Sequence, residues 1–102
     1  MPTVAEGLRH LDRELARSRQ EGCKVLKLIH GYGSSGAGEE IRIVVQKRLS
    51  EMATRVEIRA CIFGEDWSKS DERAWAFINI HSQLKQDADL GRRNLGITIV
   101  VL

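Results

Sequence analysis

The stretch Lys24-Val25-Leu26-Lys27-Leu28-Ile29-His30-Gly31-Tyr32-Gly33-Ser34-Ser35-Gly36 decides how this chain folds. Its first half is short and largely apolar, with branched residues at Val25 and Ile29, the pattern of a strand buried in a sheet. Its second half is a turn of glycine and serine. Beyond it, Ile41, Val44, Val45, Leu49 and Met52 recur at helical spacing, with Arg42, Lys47 and Arg48 on the outside. Strand, glycine turn and amphipathic helix in succession make the repeating unit of an α/β domain. His30 caps the strand where it passes into the loop.

On the N-terminal side, Thr3-Val4-Ala5-Glu6 reads as a capping box, the threonine hydroxyl and the glutamate each satisfying a free amide at a helix start. Val4, Leu8, Leu11 and Leu15 form one apolar stripe of that helix, Arg9, Arg13 and Arg17 lie on its opposite face, and Gly22 stops it. On the C-terminal side, Val56, Ile58, Ala60 and Ile62 alternate with Glu57, Arg59 and Cys61, which predicts a strand ending near Gly64. A third helix is expected over Asp71–Gln86, with Ala74, Phe77, Ile78, His81 and Leu84 inward, and a last strand over Ile97–Leu102. The order is helix, strand, helix, strand, helix, strand.

A length of 102 residues holds one domain, because a second core does not fit. The mix of 42% hydrophobic and 29% charged residues suits a globular fold and excludes an intrinsically disordered chain. The longest largely apolar run, Ile97–Leu102 with Thr98 inside it, is far short of the roughly 20 residues a membrane helix needs. No signal-peptide pattern follows Met1, so the expected location is cytoplasmic. Cys23 and Cys61 read as reduced structural thiols, and His10, His30 and His81 have no metal-ligand spacing, so no metal site is expected from them. A net charge of +2 is mildly basic and only weakly suggests a polyanionic partner.

The spacing Gly31-x-Gly33-x-x-Gly36 satisfies the dinucleotide-binding fingerprint literally. However, the acidic residue expected about 20 positions on, at the end of the next strand, is missing. Ile62-Phe63 stands there, and Ala37 occupies the place of a P-loop lysine. Two readings remain, a structural turn or an anion site in which bare glycines and helix amides receive a phosphodiester. His30 has two readings as well. Its imidazole titrates near neutrality and suits acid–base work, or its ring nitrogens hold the loop backbone. If the strands ending at His30 and Phe63 point the same way, Glu65, Asp66 and Trp67 come near the glycine loop. There an acid can orient a histidine or hold a metal, and Trp67 can stack on a base. The alternative is a solvated acidic turn with the tryptophan covering the core.

Leu28-Ile29-His30-Gly31-Tyr32-Gly33, then Ser34-Ser35-Gly36 and Ile41-Arg42, resemble the H-G-x-G signature of the Smr (small MutS-related) domain family. The closing Gly96-Ile97-Thr98-Ile99-Val100-Val101-Leu102 resembles the family's final glycine and T-x-V strand. Thr3-Val4-Ala5-Glu6-Gly7-Leu8 resembles its T-x-x-E-A-L helix opening. The resemblance covers nearly all of the chain. It implies a two-layer α/β sandwich with a mixed β-sheet, similar to the C-terminal domain of translation initiation factor three. It also implies binding of branched or single-stranded DNA or RNA, with nicking or cleavage in some members.

The chain departs from the family in two places. The first strand, with its L-D-x-H motif, would precede Thr3, and the segment Asp66–Arg93 is an insertion with an extra helix. Without that strand, the edge of Lys24–Ile29 is open, and self-association or recruitment of an upstream segment is expected.

The resulting expectation is a nucleic-acid-binding domain that grips phosphate with Gly31, Tyr32, Gly33, Ser34, Ser35 and Gly36. Arg42, Lys47, Arg9 and Arg13 would supply charge, and Trp67 would stack. A first alternative is a nicking endonuclease with His30 as acid or base and Asp66 or Glu65 as orienting group. No cofactor is expected, unless a divalent metal serves that nuclease. A second alternative is a protein-interaction module working through the free strand edge. No membrane partner is expected.

Overall fold

The computed structural model describes residues 3–31 and 37–102. Three α-helices, α1 (Val4–Gln20), α2 (Ala37–Thr54) and α3 (Glu72–Ile80), combine with three strands, β1 (Val25–Ile29), β2 (Ala60–Phe63) and β3 (Ile97–Val101). Short 3-10 turns lie over Gly64–Asp66 and Ser82–Gln86.

The apolar stripes place the helices as their spacing predicts. Thr3 caps α1, its hydroxyl accepting from the Glu6 amide at 3.2 Å. Leu11 and Leu15 are buried beneath it. Gly22, at φ +72°, ends this helix, with the Cys23 amide donating back to the Ser18 carbonyl. In α2, Ile41, Val45, Leu49 and Met52 are all buried.

The sheet differs from the mixed one expected. Its order is β1-β3-β2, and both hydrogen-bonded pairs are antiparallel. The last of the described strands inserts between the other two, so β1 and β2 point the same way without pairing. Their carboxyl ends therefore share one end of the sheet, which is the relation the site requires.

Nor is the sandwich two-layered. Leu28, Cys61 and Val100 pack with Leu11, Leu15, Ile41, Val45 and Leu49 from α1 and α2. Ile62, Ile97 and Ile99 pack on the opposite face with Trp67, Ala74 and Ile78. Side chains alternate faces along a strand, so both faces of the sheet are covered. The segment expected as an insertion supplies the second cover. This is why β3 is buried at all five positions instead of at alternate ones.

Two elements are shorter than predicted. The strand expected from Val56 begins only at Ala60, because Val56 takes φ +60° in the turn that ends α2. The Glu57 amide donates to the Met52 carbonyl there, a Schellman closure with valine where glycine usually stands. The third helix ends at Ile80, since His81 leaves helical geometry (φ −117°, ψ 79°) before the 3-10 turn begins.

Candidate functional site

His30 sits one residue past β1, half-buried, with both ring nitrogens engaged. Nδ1 lies 2.7 Å from the Gly31 carbonyl oxygen, and Nε2 lies 3.0 Å from the Thr98 hydroxyl. A carbonyl can only accept, so Nδ1 carries the proton and donates. In the neutral ring Nε2 then accepts from the hydroxyl. Thr98 is fully buried on β3, opposite Leu28 of β1 and Phe63 of β2. Backbone bonds reinforce this junction, since the amides of His30 and Gly31 both donate to the Gly96 carbonyl, at 2.9 and 3.0 Å. Gly31 turns the chain at φ +72°, a region that favours glycine.

Burial holds the imidazole pKa below its ordinary value, and the Arg42 guanidinium pushes it the same way. Hydrogen bonding to backbone and the Glu65 carboxylate oppose this without reversing it. Glu65 stands 3.6 Å from Arg42 and accepts from the Gln46 amide at 3.1 Å. The carboxyl ends of β1 and β2 thus gather His30, Gly31, Arg42, Gln46 and Glu65.

The structure separates the other predicted residues. Glu65 reaches the site, but as the counter-ion of Arg42. Asp66 makes no contact with His30 or Arg42 among the described hydrogen bonds and ion pairs, and lines a surface hollow with Glu65, Ser68, Asp71, Gly91 and Arg93. Trp67 must be corrected, because it is 0% exposed and cannot stack on a base. Its ring fills the core beneath α3, and its indole Nε1 donates to Asp87 at 3.0 Å. Arg9, Arg13 and Lys47 are exposed on the two helices that share one face of the sheet, and none forms an ion pair among the described residues. Tyr32, Gly33, Ser34, Ser35 and Gly36 lie outside the described residues. Glu39 and Glu40 occupy the first turn of α2, where their charges complement the helix dipole.

Thr98, Gln46 and Gly96 were not among the predicted site residues. For Thr98 a signal exists: it is the one hydroxyl in the apolar run Ile97–Leu102, and a buried hydroxyl needs a partner.

Chemically, this arrangement locks the imidazole in place. A ring whose two nitrogens are both spent on the protein fixes the backbone at Gly31, and it holds no lone pair free for a substrate proton. The chain matches no protein-family model, no curated protein and no solved structure. Among the described residues, no helix is long and apolar enough to cross a membrane.

Proposed function

We propose that the chain is a Smr-type domain that binds a nucleic-acid backbone without cutting it. The phosphodiester is received by the loop that starts at Gly31 and by the N-terminal turn of α2, with Arg42 as the nearest cation. Arg9, Arg13 and Lys47 supply longer-range attraction. The observation that carries this reading is the pinning of His30 between Thr98 and the Gly31 carbonyl. A binding loop benefits from a fixed base, because preorganisation lowers the entropy cost of gripping a ligand. The same pinning argues for binding over nicking, since the imidazole has no ring nitrogen to offer.

The test is the salt dependence of affinity for single-stranded and branched oligonucleotides. Each phosphate neutralised contributes a log–log slope of roughly 0.7–0.9. Arg42→Gln is expected to lower the slope by about one phosphate equivalent. A slope of zero, or nicking abolished by His30→Ala, contradicts the proposal.

A further inference from the structure

β1 is an edge strand whose outer side has no strand partner among the described residues. Its inner side is settled by two hydrogen bonds to the β3 side: the Lys24 carbonyl accepts from the Leu102 amide, and the His30 amide donates to the Gly96 carbonyl. Antiparallel backbones alternate, so the even-numbered residues face β3 and the amides and carbonyls of Val25, Lys27 and Ile29 face outward. An open edge of this kind is usually guarded by a free lysine. Here Lys27 is not free, since its ammonium is held by Asp87 at 2.9 Å and also by Asp89. Beside it Ile29 is 73% exposed. Beside the strand lies an apolar cavity of about 190 Å³, lined by Leu11, Leu28, Ile29, Ile41 and Val45 with His30 at its rim.

We infer that this edge pairs with the same edge of a second copy, β1 against β1 about a two-fold axis at Leu28. Such an axis keeps like faces on the same side only when paired residue numbers sum to an even number. Centring the pair on Lys27 sets two ammonium groups opposite each other, which is unfavourable. Centring it on Ile29 leaves little overlap, because Gly31 turns out of the extended conformation. Centring it on Leu28 avoids both problems. Lys27 of each copy then exchanges backbone hydrogen bonds with Ile29 of the other, and the exposed isoleucine covers the lysine's aliphatic stem. That lysine's charge is already balanced by its own aspartates. On the opposite face Leu26 of each copy meets His30 of the other, over the apolar cavity. The register that balances charge across the axis selects a second copy as the occupant, and the product is a continuous six-stranded sheet.

Sedimentation equilibrium between roughly 1 and 100 µM, where small interfaces dissociate, reads the association directly. The wild type is expected to shift from monomer to dimer across that range. Ile29→Lys places two ammonium groups face to face and should raise the dissociation constant about tenfold or more. Ile29 is solvent-exposed, so the fold survives the change, which far-UV circular dichroism checks. Ile80→Lys, at an equally exposed site on α3, should leave the dimer intact. Amide exchange gives a reading that needs no variant: the Lys27 and Ile29 amides should exchange more slowly at the high concentration than at the low one. The inference is overturned by a wild type that stays monomeric throughout, by an Ile29→Lys dimer as tight as wild type, or by exchange rates that ignore concentration.

Discussion

The Nε2 atom of His30 and the buried hydroxyl of Thr98 lie 3.0 Å apart, joining the tip of an edge strand to the centre of the sheet. Through this bond the central strand sets the direction in which the chain leaves β1, and so where the glycine loop begins.

Removing the hydroxyl while keeping the shape tests that bond. Thr98→Val preserves branching and strand propensity but leaves a half-buried imidazole nitrogen without its donor. A loss of about 1–3 kcal/mol in unfolding free energy is expected, measured by urea denaturation. A Thr98→Val protein as stable as wild type would show that the bond contributes nothing to the fold.

The depressed pKa of His30 links the same junction to pH. Burial favours the neutral ring, so the unfolded chain binds the proton more readily than the folded one. The contribution of His30 is therefore fully present above the unfolded value of 6.5 and declines as the pH falls below it, towards the lower folded pKa. In His30→Gln this segment of the stability–pH curve should flatten. Thermal denaturation of both proteins between about pH 5 and 8, a span that brackets the ordinary histidine pKa, measures it.

Val56 sits at φ +60° and is 82% exposed, closing α2 with the geometry that Gly22 supplies to α1. A β-branched side chain in that region is strained. Val56→Gly should therefore stabilise the protein by about 1 kcal/mol, against the usual sign for a glycine substitution. A rise in melting temperature is the expected readout.

Gly64 has the opposite character. A Cβ built there would lie 1.7 Å from the Asn94 carbonyl oxygen and 2.9 Å from that of Ile97, so backbone would have to move. Gly64→Ala is expected to cost about 3 kcal/mol or more, and to displace the Asn94–Ile97 turn whose Gly96 carbonyl anchors His30 and Gly31. Loss of amide-exchange protection at His30 would report that displacement.

The helices were legible because their burial repeats with the helical period, and Leu11, Leu15, Ile41, Val45 and Leu49 all fall where the stripes put them. The order of the strands was not legible, since no local pattern says that the last strand inserts between the first two. The number of layers had a readable signal in the run at Ile97–Leu102, apolar at every position but Thr98, because a sheet with one wet face alternates. Val56 defeated the strand reading through turn geometry that a valine does not advertise. Trp67 stands beside an acidic turn in sequence, yet Asp87, distant along the chain, accepts its indole proton and fixes the ring inside the core. At the site itself His30, Gly31 and Glu65 could be read from strand ends, whereas spacing marked Arg42 only as a cation on the outer side of α2. Thr98 required the register that sets it against Leu28.

On the proposed reading, a nucleic-acid backbone binds at the carboxyl end of β1, which His30 holds. Titrating isotope-labelled protein with a short single-stranded oligonucleotide and following amide resonances tests it most directly. The account predicts shifts concentrated at Gly31, Arg42, Gln46 and Gly96, with the opposite end of the sheet around Lys24 and Arg59 unmoved. Shifts confined to that opposite end, or none at saturating oligonucleotide, would contradict it.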